Sequence, residues 1–213
     1  MSFFSQWVAS KSEVINVGSN IKLENQNLLL KKEKNLVIFF GLIRPDKGLE
    51  EYIELAILAA GKKKPYKFMI IGSPQKEGAS YYEKMMKLSS GMNNLEWKVG
   101  LKEDEVSKEL ARASFAYLFY PDGASERRTS LLACLEHRIA VISNKGKQTP
   151  EEFNGVLEFA PSPEDALEKI DILSADTLAL SHILDNSNRY VQKCSWSRIA
   201  SEHMRVYNSL LDK

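Results

Sequence analysis

The sequence predicts an α/β fold: a doubly wound parallel sheet of roughly six strands with helices on both faces. Three observations carry this. Short β-rich apolar runs recur along the chain, and several close on Gly or Pro. Their residues are apolar on both sides of the strand, as in sheets covered on each face. Between them lie longer stretches whose apolar residues recur at helical spacing.

In chain order, the first strand is the run Leu36–Phe40, closed by Gly41. A helix over 49–60 follows, with Leu49, Ile53, Ala56, Ile57 and Ala60 as its stripe and Gly61 as its terminator. Phe68–Ile71 and Gly72 form the second strand and its stop, and Tyr81–Leu88 is helical. Leu95–Val99 ends at Gly100 and precedes a helix over Glu105–Ala113. Phe115–Tyr120 ends at Pro121, Thr129–Glu136 is helical, and Ile139–Ser143 and Val156–Phe159 complete the strands. Ser162-Pro163-Glu164-Asp165 opens a further helix, with Pro near the first position and acids in the first turn. Two more helical stretches run over 176–184 and 195–211; Ser195 offers an N-cap and Trp196 a packing anchor. In such a sheet, ligands bind beyond the carboxyl ends of the strands. The loops after Phe40, Ile71, Val99 and Tyr120 are therefore where chemistry is expected.

The chain has 213 residues, 44% of them hydrophobic and 27% charged, within the ordinary globular range. Its 29 Lys and Arg against 28 Asp and Glu leave a formal charge of +1, which argues against a dedicated nucleic-acid binder. No run of about 18 apolar residues predicts a transmembrane helix. Met1–Val14 has no signal-peptide pattern. Cys134 and Cys194 lie in helical patterns and read as reduced thiols of a cytoplasmic protein.

Several chemistries lack their motifs. The loop after Phe40 has no G-x-G-x-x-G spacing. Gly146-Lys147 comes nearest to a P-loop, but Val141 stands at the first glycine and Gln148 at the Ser/Thr. His137, His182 and His203 are isolated, which predicts no protein-ligated metal. There is no G-x-S-x-G elbow.

Two loops do carry a signal. In Gly41–Gly48, Arg44 and Lys47 place two cations beside a coming helix N-terminus. They face either an anion above the sheet or only solvent. The second loop reads Tyr120-Pro121-Asp122-Gly123-Ala124-Ser125-Glu126-Arg127-Arg128-Thr129-Ser130 and leads into an apolar helix. That helix is expected to begin near Ser125. Adjacent arginines in a first turn oppose the macrodipole, so something negative must compensate. A bound anion would do so, as would a surface network pairing Arg127 with Glu126 or Arg128 with Asp122.

In order, Val17-Gly18-Ser19-Asn20-Ile21, Phe40-Gly41 with Lys47-Gly48, Ile70-Ile71-Gly72 and Val99-Gly100 make a recognisable series. Ala113-Ser114-Phe115-Ala116, Tyr120-Pro121, Leu131-Leu132, Val141-Ile142 and Ser195-Trp196 continue it. The series resembles the C-terminal, donor-binding domain of GT-B glycosyltransferases of family 4, the group 1 enzymes, over about residues 14–211. The resemblance implies a Rossmann-like domain over 14–194 and a C-terminal helix, 195–213, that packs back across an interdomain cleft. Residues 1–13 would be a linker or the remnant of a missing N-terminal domain.

It further implies a retaining glycosyltransferase that moves a sugar from a nucleoside-diphosphate donor to a glycan or lipid-linked acceptor. The catalytic residue would lie on the missing half. Gly41, Arg44 and Lys47 would face the diphosphate, with Ser125, Arg127, Arg128, Thr129 and Ser130 around its distal phosphate. Gly72, Gly100 and Leu101 would border the base. No cofactor or metal is implied. The partners implied are the donor and the N-terminal domain, with peripheral membrane association of the longer protein compatible and nucleic acid excluded. The family's two glutamates, with seven residues between them, fall on Ser125 and Ala133, or on Glu126 and Cys134 after a one-residue slide. The family's first-loop arginine falls on Leu42, two residues before Arg44. The S-x-R-R-x-S stretch thus marks a divergent branch. It keeps two alternatives in view: a non-catalytic module that retains the fold, and a nucleotide-sugar epimerase.

Overall fold

A computed structural model of the protein describes residues 12–23, 25–75 and 78–211. Six strands form one sheet: β1 (Glu33–Ile43), β2 (Lys67–Pro74), β3 (Leu95–Val99), β4 (Ala113–Leu118), β5 (Ala140–Ser143) and β6 (Glu158–Phe159). Their order is β3-β2-β1-β4-β5-β6, and every pairing is parallel. The chain thus winds outward from β1 in one direction, returns, and winds outward in the other, which places a topological switch between β1 and β4.

The helices are α1 (Leu49–Gly61), α2 (Ala79–Leu88), α3 (Glu103–Arg112), α4 (Thr129–Glu136), α5 (Pro163–Ala175), α6 (Thr177–Lys193) and α7 (Trp196–Leu211). The core is the sheet's apolar interior with the inward faces of these helices. Val37, Ile38, Phe39, Ile70, Ile71, Phe115 and Tyr117 are all buried. Tyr52 of α1 is fully enclosed, and its hydroxyl accepts from the Met69 N–H at 3.0 Å while lying 2.8 Å from the Val37 carbonyl. A phenol at that depth needs such partners.

Three local expectations are corrected. The α1 stripe is rotated: Tyr52, Leu55 and Ala59 turn inward, while Ile57 is exposed. Gly61 stays helical, and the left-handed residue that ends the helix is Lys63, at φ 53°. The helix expected over 176–184 continues to Lys193 because Ile183, Ser187 and Tyr190 form a buried stripe through a polar stretch. The Ser187 hydroxyl lies 2.8 Å from both the Val156 and the Ile183 carbonyls.

Three of the helix entries follow from single residues. The Asp176 carboxylate accepts from the Leu178 and Ala179 amides at 3.0 Å and so caps α6. Ser162 caps α5 through the Asp165 amide at 3.2 Å, with Pro163 in the first turn. Trp196 anchors α7: its indole N–H donates to the Ser19 carbonyl at 2.7 Å. Both cysteines are free and buried, and burial pushes the Cys134 thiol up to about 12. Among the described residues, no helix is long and apolar enough to cross a membrane.

Candidate functional site

A cleft of about 340 Å³ opens beyond the carboxyl ends of β1, β2 and β4. Phe39, Phe40, Ile71 and Leu118 come from the strands, and Ile21, Leu101 and Val106 add apolar groups from other segments. Lys47, Tyr120, Thr129 and Ser130 supply polar groups. Asn20 and Ser73 add further polar groups to the lining.

Close backbone approaches lock the loops that make this cleft. Gly48 sits at φ 75°, and a Cβ there would come within 2.2 Å of the Phe119 carbonyl oxygen. Only glycine suits that conformation and that distance. The loop after β1 is thereby held on the end of β4. Gly123, at φ 87°, meets Gly146 in the same way, a Cβ on it falling 2.2 Å from the Gly146 nitrogen. Thr149 adds a hydroxyl bond of 2.7 Å to the Ala124 carbonyl. Asn144, just past β5, brackets Tyr120. Its Oδ1 accepts from the Tyr120 N–H at 2.8 Å, and its Nδ2 donates to the Tyr120 carbonyl at 2.6 Å.

Gly41, Lys47, Gly72, Leu101, Thr129 and Ser130 are the sequence-derived candidates that line the cleft. Gly100 stands at its rim, exposed, with its N–H bonded to the Gly72 carbonyl at 3.1 Å. Arg44 is exposed and outside the lining, yet it acts on Lys47. The Lys47 ammonium is held below its ordinary range by partial burial first, then by repulsion from Arg44 and from Arg128. Two further cations thus act on the one lysine that lines the cleft.

Helix α4 does not begin near Ser125. It starts at Thr129, with Arg128 as N-cap in an extended conformation and no side chain capping its amides. The residues before it are occupied by the interloop clasp, so the helix cannot start sooner. Ser125 is buried in that loop, where its carbonyl accepts from the Arg128 N–H at 3.1 Å. Arg127 is exposed and pairs with Gln148 rather than with Glu126. Ser125, Arg127 and Arg128 do not reach the cleft lining, Arg128 standing beside Tyr120, which does.

The Asp122–Arg128 pair of the surface-network reading is present. It does not satisfy the whole guanidinium. Arg128 Nε is buried and has no hydrogen-bond partner. A buried unpaired N–H costs roughly 1–3 kcal/mol. The guanidinium also lies over the Tyr120 ring, 4.6 Å from its centroid.

Sequence reading did not single out Asn20, Ser73 and Tyr120 of the lining, nor Asn144 that holds Tyr120. Tyr120 was visible as the polar end of an apolar strand run, and Asn144 as the polar residue directly after one. His137, isolated in the sequence, is a packed residue, fully buried. Its Nδ1 lies 2.8 Å from the Ala133 carbonyl and its Nε2 2.9 Å from the Ser107 hydroxyl. Among the described residues, no group of His, Cys, Asp and Glu could hold a metal ion.

No protein-family model matches the chain, and no curated protein does. Solved structures match its fold. One is the C-terminal domain of a glycosyl transferase group 1 family protein, LpcC, from Francisella tularensis. It is 17% identical with a TM-score of 0.63, over 84% of this chain and 95% of that one. The fold is that of a glycosyltransferase C-terminal domain. A glycosyltransferase from Rickettsia africae is 15% identical with a TM-score of 0.76, over 95% of this chain. Anabaena Alr3699/HepE, solved in complex with UDP and glucose, is 13% identical with a TM-score of 0.72, over 96% of this chain. This chain spans 58% of the length of each of these two glycosyltransferase chains.

Proposed function

We propose that the chain is the donor-binding domain of a retaining glycosyltransferase that transfers a sugar from a nucleoside-diphosphate sugar to a glycan or lipid-linked acceptor. One observation carries the reading. The cleft of a glycosyltransferase-like fold is lined by Lys47, Thr129 and Ser130 together with apolar Ile21, Phe40, Leu101 and Val106; Arg44 and Arg128 act on Lys47 from outside the lining, and no side chain caps α4. That mixed lining suits a nucleoside diphosphate, with apolar groups for its base and cations and helix amides for its phosphates.

In this reading Gly41, Lys47, Arg128, Thr129 and Ser130 hold the diphosphate, with Arg44 adding field from the rim. Gly72, Gly100 and Leu101 border the base. As the glycosidic bond breaks, negative charge grows on the leaving diphosphate. Donors already aimed there stabilise the transition state more than the ground state. Retention, the identity of the acceptor and a cytoplasmic setting rest on the sequence resemblance and the two buried thiols. The catalytic residue and the rest of the acceptor site belong to a second domain in the same reading.

Calorimetry or ligand-observed NMR with UDP, GDP, ADP and TDP tests the proposal. Binding of at least one is expected, and the absence of any binding at millimolar concentration overturns it. A non-catalytic module of the same fold is the second reading, favoured by Ser125 and Ala133 standing where the resemblance expects glutamates. It predicts donor binding with no turnover by the longer protein and no loss of biological role in Lys47→Ala.

A further inference from the structure

We propose that Tyr120 is the positioning residue of the anion end: one buried side chain fixes both the Arg128 guanidinium and the Ser130 hydroxyl beside the α4 N-terminus. The inference deepens the donor-binding reading and rests on it.

Tyr120 ends the run that forms β4 and is only 3% exposed, yet it borders the cleft. Its ring lies under the Arg128 guanidinium, 4.6 Å from centroid to Cζ. A guanidinium over an aromatic face is held there by its charge, which leaves N–H groups for hydrogen bonds. Asp122 takes one terminal nitrogen, and Nε remains buried without a partner. At the ring's other end, the phenol oxygen lies 3.1 Å from Ser130 Oγ. Burial holds the phenol well above its ordinary range, so it keeps its proton at neutral pH. When it donates that proton to Ser130 Oγ, the serine's own O–H is left for an anion.

The Tyr120 backbone is itself fixed from outside α4. The Asn144 side chain bonds both its N–H and its carbonyl, at 2.8 Å and 2.6 Å. Two donors that belong to the start of α4 are therefore registered against β4 and β5 through one residue. This is the support that a preorganised anion site requires.

The test uses this chain with UDP and uridine, or with the diphosphate and nucleoside of whichever base binds tightest. Y120F removes the hydroxyl and keeps the ring under Arg128. UDP should bind roughly 3–10-fold more weakly, the scale of one hydrogen bond, while uridine binding stays within about twofold. Y120F/S130A should bind UDP no more weakly than the weaker single variant, because both remove halves of one unit. Should Y120F not fold, S130A removes the other half of the bond from a less buried residue and carries the same expectation. Equal weakening of UDP and uridine, no change in either, or additive losses would overturn the proposal. Failure of the unsubstituted chain to bind any diphosphate is a different result and overturns the donor-binding reading itself.

Discussion

Lys47 carries opposed demands at the residue scale. Burial and two nearby arginines disfavour its charge in the folded chain, so charged Lys47 costs stability at neutral pH. A bound diphosphate would reverse that cost. Lys47→Met keeps the stem and removes the charge. It should raise the melting temperature while weakening diphosphate binding by roughly 10–100-fold; a lower melting temperature with unchanged binding would refute both halves. The pH dependence has a definite sign. In the donor-binding reading the anion needs the ammonium, so affinity should hold near neutral pH and fall as pH rises through the depressed Lys47 value, short of the usual 10.5. Lys47→Arg should flatten that fall in calorimetry at alkaline pH. His137 makes a separate prediction. Burial holds it at about 4 against 6.5 for the unfolded chain. The unfolded chain therefore takes up a proton first, and stability contributed above pH 6.5 is lost as pH falls toward about 4. The loss is bounded at about 3 kcal/mol. Urea melts of His137→Gln should show that part of the acid slope gone.

Among the elements, α4 was read correctly from Thr129 to Glu136 as an apolar helix, but its approach was not. Residues 125–128 looked like a first turn. They belong to a loop clasped to the segment after β5 through Gly123, Gly146, Asn144 and Thr149. That clasp joins residues some 20 positions apart, so no local pattern shows it. The same distance hid Asn144 and the role of Tyr120. Lys47, Thr129 and Ser130 were legible because strand-end loops and helix starts are local features. Gly48→Ala and Gly123→Ala should each destabilise the protein by about 3 kcal/mol or more. Each adds a Cβ against backbone at a positive φ. Ser162→Ala, which removes only the α5 cap, should cost about 1 kcal/mol in thermal or urea melts.

For the whole molecule, the strand series and helix alternation were legible because buried parallel strands are apolar on both faces and short. Less visible was how the two ends of the described chain meet. Asn20 and Ile21 enter the cleft lining, and the Ser19 carbonyl beside them takes the indole N–H of Trp196. The start of α7 therefore braces a segment that lines the cleft. Trp196→Phe removes that bond and should speed hydrogen exchange over residues 18–21 while leaving β1 and β2 protected. Equal exchange in both proteins would show the bond to be incidental.

The strand order has a consequence for how the chain is made. Counted from the ribosome, β1 emerges before every strand that flanks it, and each later strand joins an outer edge: β2 and β3 on one side, then β4, β5 and β6 on the other. No strand has to be threaded between two that are already paired. The growing sheet stays open on the β4 side until residue 113 has been synthesised. During that interval the apolar stretch Leu36–Phe40 presents an unpaired strand edge. A chain ending at Val99 should therefore self-associate more than the whole chain, in which both edges of β1 are covered.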